Sequence, residues 1–264
     1  MELMASRKAC QGCRDGVDLD LDFTMAFQPI VDTRVDRIWG YEALIRGPEG
    51  QSAGSILGQV TEATMYRFDQ AARVRAIELA GRLFQADDDT RLSINFMPNA
   101  VYEPAACIRS SLEAARQFGF AHERIMFEFT ENEKFRDIAH LQRIVDEYRR
   151  QGFLTALDDF GAGFAGLSLL ANFQPDLIKI DMDLLRGIDR DRARQVITAG
   201  ILSIARQLGI EVIAEGIETQ AEFATMRELG ANLFQGYYFA RPQLEALPSV
   251  SGFEAREPRL DLAS

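Results

Sequence analysis

The chain has 264 residues, of which 47% are hydrophobic and 26% charged, and its formal net charge is −11. This composition fits one globular enzyme domain and excludes an intrinsically disordered chain, while the acidic charge argues against binding of duplex nucleic acid on a basic surface. No apolar run approaches the roughly 20 residues of a membrane span, and the first residues lack a secretory signal. We therefore expect a cytoplasmic protein without membrane segments.

The N-terminal segment, residues 1–20, contains Cys10 and Cys13 in a CxxC spacing. A zinc site usually needs four ligands. The remaining soft candidates in the chain are Cys107, His122 and His140. We interpret the segment as a flexible leader with reduced thiols. A regulatory thiol pair and a half-site completed by another subunit are the alternatives.

The first two predicted strands, Phe23–Val31 and Ile38–Ile45, are separated only by Asp32–Arg37. This connection is too short for the helical crossover that parallel pairing requires. The two strands are therefore predicted to pair as an antiparallel hairpin.

Strands and amphipathic helices alternate along the rest of the chain. The predicted helices are Thr61–Phe84, Ala105–Phe118, Glu133–Arg150, Phe164–Ala171, Arg192–Leu208 and Gln220–Leu229. The predicted strands are Leu92–Phe96, Ile125–Phe129, Phe153–Leu157, Leu177–Ile180, Glu211–Ala214 and Asn232–Phe234. Gly152, Gly209 and Gly230 follow three of the helices, as expected of C-terminal caps.

About eight strands, most of them joined by helices, predict an α/β fold of the TIM-like (β/α)8 barrel type with an antiparallel first strand. A doubly wound open sheet is the alternative. We assign residues 21–250 to one barrel domain and residues 251–264 to a charged C-terminal tail. No linker or internal repeat indicates a second domain.

Polar side chains lie at or just beyond the C-terminal half of most predicted strands. In a barrel these strand ends converge on one face, where active sites are built. The residues are Glu42, Arg46, Asn95, Glu128, Glu131, Asp158, Asp159, Lys179, Glu215 and Gln235. Taken singly, each has an ordinary explanation, such as a helix cap, a helix-dipole contact or an ion pair. Together they indicate a cation site, because burying several carboxylates without counter-charge is very costly.

The ligand types predict Mg²⁺ or Mn²⁺, because carboxylates and an amide oxygen, without cysteine or histidine, suit hard cations. The adjacent Asp158 and Asp159 can serve two ions, an arrangement that clamps a phosphodiester and activates water. Lys179 could orient that water or stabilise the charge that develops on the phosphate. Arg46 offers planar donors for a phosphate oxygen.

These motifs together resemble the EAL-domain family of cyclic di-GMP phosphodiesterases. The signature lies in YEALIR, which contains Glu42, Leu44 and Arg46. The other matching segments, between Phe27 and Pro242 and in the family's order, are FQPIVD, INF, EFTE, DDFGAG, LIKID, AEGIE, QGYYF and RP. The resemblance implies a barrel with an antiparallel first strand, a homodimer, and hydrolysis of cyclic di-GMP to linear pGpG with two Mg²⁺ or Mn²⁺ ions.

The resemblance also implies a role for each matching residue. The ligands of one metal ion would be Glu42, Asn95, Glu128 and Asp158, and those of the second would be Asp158 and Asp159. Lys179 would hold and activate the attacking water, while Glu215 and Gln235 would support the cluster of metal and water. Glu218 would anchor the glycine-rich loop. The substrate contacts would be Gln28, Leu44, Arg46 and Pro242.

The glycine-rich loop departs from the family pattern. Gly161 and Gly163 predict a mobile active-site loop. The family commonly continues with Tyr-Ser-Ser, whereas this chain has Phe164, Ala165 and Gly166. We expect the difference to affect how the loop couples to metal binding and to the dimer contact, and thereby regulation and rate.

Two other functions remain as alternatives to the phosphodiesterase. A noncatalytic cyclic di-GMP receptor would typically lack some of the metal ligands or the lysine, and this chain keeps them. An unrelated metal-dependent barrel enzyme would not be expected to carry the ordered motif set. The sequence does not identify a regulatory partner protein.

Overall fold

The computed structural model describes residues 20–85, 88–131, 138–163 and 166–251. Cys10, Cys13 and almost all of the C-terminal tail lie outside these residues, so the predictions for the leader and the tail stay predictions. Among the described helices, none combines the length and the apolar character that a membrane crossing requires.

Eight strands form a closed barrel, and a short ninth strand pairs with the first strand of the barrel. The barrel strands are β1 Thr24–Asp32, β2 Arg37–Arg46, β3 Arg91–Asn95, β4 Ile125–Thr130, β5 Leu154–Phe160, β6 Leu177–Ile180, β7 Glu211–Ala214 and β8 Leu233–Gln235. Strands β2 to β8 are parallel neighbours, and β1 closes the ring by antiparallel pairing with both β2 and β8. The predicted TIM-like barrel is confirmed, and the open sheet is excluded.

The hairpin of β1 and β2 is confirmed in its direction and places two functional candidates side by side. Gln28 pairs with Glu42 in the antiparallel register. A short strand that the sequence did not reveal, β9 Gln243–Leu244, pairs with Ala26 and Phe27 nearer the start of β1. The chain segment after β8 is thereby fixed against the first strand of the barrel.

Helices cover the outside of the barrel. They are α1 Ala53–Leu57, α2 Met65–Leu83, α3 Pro104–Cys107, α4 Arg109–Gln117, α5 Ile138–Arg150, α6 Gly166–Asn172, α7 Met182–Leu185, α8 Arg192–Leu208 and α9 Gln220–Leu229. The bounds of α8 and α9 match the prediction. The predicted helix Ala105–Phe118 is divided into α3 and α4. The short helices α1 and α7 were missed, because four or five residues give too little helical periodicity.

The barrel interior is apolar in its lower half, which is the half nearer the N-terminal ends of the parallel strands. Seven buried side chains form this cluster: Ile30, Trp39, Met126, Ala156, Leu177, Ile213 and Leu233. Side chains alternate along a strand, so the residue two positions later also points into the barrel. On five strands that residue is polar and lies toward the C-terminal end: Glu128, Asp158, Lys179, Glu215 and Gln235. The fold therefore places an apolar floor beneath a polar rim.

Candidate active site

Lys179 lies at the centre of this rim and is 1% exposed. Its ammonium nitrogen is 2.6 Å from Glu215 Oε1 and 2.8 Å from Glu128 Oε2. Asp158 Oδ1 lies 3.3 Å away and Glu42 Oε2 lies 3.4 Å away. Side chains from β2, β4, β5 and the end of β7 thus converge on one lysine of β6.

Amide side chains complete the inner face of the site. Asn95 Nδ2 donates to Glu42 Oε1 at 2.9 Å, and Gln235 Nε2 donates to Glu42 Oε2 at 2.7 Å. Gln235 Nε2 also lies 3.3 Å from Gln28 Oε1, and Gln28 donates to the Ala240 carbonyl at 3.2 Å. Both oxygens of the Glu42 carboxylate are therefore fixed by neighbouring strands.

Strand β5 carries both aspartates, three residues further than the sequence predicted. Its pairing with β6 is irregular between Leu157 and Phe160, and Asp159 adopts a φ of 54°. Consecutive side chains of a regular strand point to opposite faces, whereas a bulge of this kind redirects them. Asp158 and Asp159 consequently line the same cavity. The strained backbone at Asp159 is typical of a functional site.

The carboxylates hold more negative charge than the site can stabilise without a cation. Burial raises the pKa of Glu128 to about 8, and nearby carboxylates act in the same direction. Burial and the charge of Asp158 raise the pKa of Glu215 well above its usual value. Burial and Asp158 likewise raise the pKa of Asp159 to about 6. The cluster therefore retains protons that a bound cation would displace.

Lys179 and Glu42 are instead held in their charged forms. Burial alone would lower the pKa of Lys179, but the surrounding carboxylates raise it well above its usual value. Burial would raise the pKa of Glu42, but Lys179 and the hydrogen bonds from Gln235 and Asn95 lower it. Lys179 thus keeps its positive charge at neutral pH and acts as a hydrogen-bond donor.

The side chains fit a pair of divalent cations. Glu42, Glu128 and Asp158 each place an oxygen within 4.8 Å of the others, and so do Asp158, Asp159 and Glu215. Among the described residues, buried Glu128 Oε1 has no hydrogen-bond partner. A buried carboxylate oxygen without a donor is costly, and a hard cation would satisfy it. Asp158 belongs to both groups.

A cavity of about 270 Å³ opens above this cluster. The predicted site residues that line it are Gln28, Glu42, Asp158, Asp159, Lys179, Glu215, Glu218 and Gln235. Leu44 and Asn95 line a neighbouring cavity between the barrel and its helices. Arg46 donates to the Ile45 carbonyl at 2.7 Å, and Arg46 and Pro242 are absent from the described lining of both cavities. Their substrate contacts stay predictions.

The described part of the glycine-rich loop is held by Glu131. Its carboxylate accepts from the Gly161 amide at 3.0 Å and from the Gly166 amide at 2.7 Å. The position of Glu131, close behind Glu128 after β4, was the available sequence signal. Glu218, predicted as the loop anchor, accepts from Arg186 at 2.9 Å. Residues 164 and 165 of the loop lie outside the described residues, so the role of Glu218 stays a prediction.

Gly166, one of the residues at which the loop differs from the family pattern, lies tightly packed against its neighbours. A Cβ at this position would lie 2.9 Å from Glu131 Oε2 and 2.8 Å from the Phe160 ring. Such contacts are closer than packed atoms normally allow. The glycine therefore lets the start of α6 approach the Glu131 carboxylate directly.

Comparison with known proteins identifies the family to which the chain belongs. Residues 14–242 match the EAL domain family. The blue light- and temperature-regulated antirepressor BluF of Escherichia coli is 31% identical over 246 residues, which cover 90% of this chain and 60% of that protein. The cyclic di-GMP phosphodiesterase PA2567 of Pseudomonas aeruginosa is 28% identical over 228 residues, which cover 84% of this chain and 38% of that protein. The chain thus spans less than two thirds of these relatives.

Solved structures agree with the barrel. A standalone versatile EAL protein from Vibrio cholerae O395, in its c-di-GMP bound form, superposes with a TM-score of 0.84 and is 52% identical; the match covers 88% of this chain and 97% of that one. The manganese and cyclic di-GMP complex of Klebsiella pneumoniae BlrP1 at pH 9.0 has a TM-score of 0.81 and 34% identity, and covers 88% of this chain and 58% of that one. From its sequence match, its barrel and its rim of carboxylates, the chain belongs to the EAL domain family.

Proposed function

We propose that this protein is a phosphodiesterase that hydrolyses cyclic di-GMP to linear pGpG with two divalent cations, Mg²⁺ or Mn²⁺. The observation that carries the proposal is a cluster of five carboxylates beneath an open cavity, four of which lie within 3.4 Å of the Lys179 ammonium. Relatives named as cyclic di-GMP phosphodiesterases, and EAL structures described with cyclic di-GMP and manganese, support the same substrate and cofactor class.

The two cation sites would use different oxygens of the cluster. Glu42, Asn95, Glu128 and Asp158 would hold one cation, and Asp158 and Asp159 would hold the other with support from Glu215. Two such cations lower the pKa of a water molecule and stabilise charge on a phosphodiester. Gln235 would order water beside Glu42, because its buried Oε1 has no hydrogen-bond partner among the described residues.

Lys179 would act by orientation and charge. Its pKa lies well above neutrality, so it keeps its proton and is unsuited to be a general base. The ammonium would hold the attacking water and stabilise negative charge that develops on the phosphate. Gln28, Leu44, Arg46 and Pro242 would contact the dinucleotide around this centre.

A receptor that binds cyclic di-GMP without hydrolysing it is the second candidate. The similarity to a relative named as an antirepressor favours it. The complete set of carboxylates and the central lysine favour the enzyme. The two functions differ in one observable, the appearance of a linear product.

The deciding experiment is incubation of the purified chain with cyclic di-GMP and Mg²⁺ or Mn²⁺, followed by chromatography of the nucleotides. We expect pGpG to form, to disappear with a chelator and to return when the metal is restored. Ca²⁺ should permit binding without efficient turnover, because its coordination sphere is larger and looser. Binding of intact cyclic di-GMP without product under all metal conditions would establish the receptor instead.

Glu42→Ala is the variant that tests the proposed metal site. It removes a ligand and should abolish turnover. Glu211→Ala is the control, because this glutamate is exposed and lies at the opposite end of the barrel, where it pairs with Arg34 at 2.7 Å. Full activity of Glu42→Ala would remove Glu42 from the proposed metal site.

We also propose that the chain forms a homodimer through α8. Val196 and Ile197 on this helix are 53% and 52% exposed, and Ile204 and Leu208 are exposed on the same face. A contiguous apolar helix face is typical of an interface. The face is uncharged, and a second copy would cover each stripe with an identical one about a twofold axis.

Light scattering after size-exclusion chromatography tests the dimer. We expect twice the chain mass for the wild type and the monomer mass for Ile197→Glu. Val35→Glu is the control, because Val35 is 58% exposed in the turn between β1 and β2. A dimer that survives Ile197→Glu would place the interface elsewhere.

A further inference from the structure

An ion pair lies buried between helix α2 and the barrel wall. Arg73 Nη2 lies 2.6 Å from Asp69 Oδ2, and both side chains are almost completely inaccessible. Arg73 Nη1 also donates to the Tyr148 hydroxyl at 2.6 Å. Buried ion pairs contribute little net stability compared with apolar packing, so their retention raises the question of a specific role.

This pair contacts the segment that follows Asn95. Asp69 Oδ1 accepts from the Met97 amide at 2.8 Å. The Arg73 guanidinium lies over the Phe96 ring, 5.0 Å from its centroid. The two residues directly after Asn95 are therefore held by the two members of one ion pair.

The same segment also contacts the barrel. The Phe96 amide donates to the Glu128 carbonyl at 2.9 Å, and the Phe96 ring packs against three other aromatic rings. Asp69, Asn95, Phe96 and Met97 line one cavity of about 240 Å³. Beside this cavity, the Asp69 carboxylate holds the Met97 amide directly.

We propose that Asp69 and Arg73 are positioning residues that fix the end of β3 so that Asn95 can act as a metal ligand. The proposal rests on the proposed metal site. Asn95 Nδ2 donates to Glu42, which leaves its amide oxygen as the ligand atom. A displacement of the backbone at Met97 would move that oxygen and loosen the Glu42 carboxylate as well. Substitution of a residue that supports a metal ligand typically weakens metal affinity by about 10- to 100-fold.

Asp69→Asn tests the proposal with Mn²⁺ alone, in the absence of nucleotide. The substitution keeps the shape of the side chain and removes the charge that holds Arg73. We expect a folded variant, checked by circular dichroism, whose Mn²⁺ affinity measured by isothermal titration calorimetry is about 10- to 100-fold weaker than that of the wild type. A role limited to folding would lower the melting temperature and leave this affinity unchanged.

Asp176→Asn is the matched control at the opposite end of the barrel. Asp176 accepts from the Thr155 amide and hydroxyl, both at 2.9 Å, as Asp69 accepts from Met97. This variant should lose thermal stability and keep wild-type Mn²⁺ affinity. If Asp69→Asn is not recovered folded, Arg73→Lys decides by the same titration, because it keeps the charge and loses the planar contact with Phe96.

The outcomes separate the two proposals. Weaker Mn²⁺ binding in folded Asp69→Asn, or in Arg73→Lys, together with normal binding in Asp176→Asn, supports the positioning role. Wild-type affinity in the folded variant overturns it while leaving the proposed function intact. A wild-type protein that binds no Mn²⁺ overturns the proposed function and this inference together.

Discussion

Two buried clusters of charge lie within this barrel, and they differ in balance. Behind β3, the Asp69 carboxylate pairs one-to-one with the Arg73 guanidinium, which also contacts the Tyr148 hydroxyl and the Phe96 ring. At the rim, four carboxylates lie within 3.4 Å of the Lys179 ammonium, and Asp159 adds a fifth to the cluster. The first cluster is inaccessible to water and has no net charge, whereas the second faces a cavity and has an excess of carboxylates.

The difference indicates what each cluster is built to do. A balanced pair is already compensated, so it can hold backbone in place without any further ligand. An excess of carboxylates is unfavourable until cations arrive, and the site thereby retains a strong driving force for binding them. A cluster with an excess of carboxylates is therefore typical of a cation-binding site, whereas a one-to-one ion pair is typical of a structural contact.

The largest expected effect is that of removing the charge at the centre of the rim. Lys179→Ala should fold, bind cyclic di-GMP and hydrolyse it about 10²- to 10⁴-fold more slowly, because the attacking water loses its orienting donor. Single-turnover kinetics and nucleotide binding measure the two properties separately. Arg91→Ala, which removes a cation stacked on Trp39 at the other end of the barrel, is the control. Comparable rates for Lys179→Ala and the wild type would remove Lys179 from the mechanism.

The balanced cluster should respond through stability. Arg73→Met leaves the Asp69 carboxylate buried without its counter-charge, and the free energy of unfolding should fall by about 3–5 kcal/mol. Arg82→Met on the same helix breaks an exposed pair with Glu78 and should cost less than about 1 kcal/mol. Urea denaturation measures both. Equal losses would show that burial of the first pair is energetically unimportant.

The barrel and the convergence of its rim could be predicted from the sequence, because both follow from short-range rules. The short connection between β1 and β2 dictated the antiparallel hairpin, and the convergence of strand ends in a barrel brought Glu128 and Lys179 to one face. The contact between Glu131 and the loop could not be predicted in this way. Glu131 follows β4 closely, as many helix-capping residues do, and only the three-dimensional structure shows that it meets the Gly166 amide.

Asp69 and Arg73 were missed for a related physical reason. An acidic and a basic residue four positions apart on a helix are typical of an exposed surface pair. Their burial depends on the aromatic side chains of β3, β4 and α5, which the helix sequence does not reveal. The neighbouring apolar residues Phe68 and Ala72 were the available signal that this helix face points inward.

Metal affinity should depend on pH in the rim cluster. Glu128 has a pKa of about 8 and Asp159 a pKa of about 6 without metal, so protons compete with the cation below these values. We expect Mn²⁺ affinity to weaken by up to about tenfold per pH unit as the pH falls from 8 toward 6, because Glu128 takes up a proton, and more steeply below about 6, where Asp159 does so as well. Calorimetric titrations across this range provide the test, and a flat profile would contradict the charge excess.

The last expected effect concerns the stability of the metal-free protein. The pKa of Glu128 is raised on folding, so the folded state binds more protons than the unfolded state between the usual glutamate pKa and about 8. Stability should therefore fall as pH rises through this interval, by at most about 1.4 kcal/mol per unit for this group. Glu128→Gln cannot ionise, so at pH 8 without metal it should be more stable than the wild type. Melting curves at pH 6 and pH 8 measure the difference; a less stable variant at pH 8 would mean that the ion pair with Lys179 already stabilises the Glu128 carboxylate.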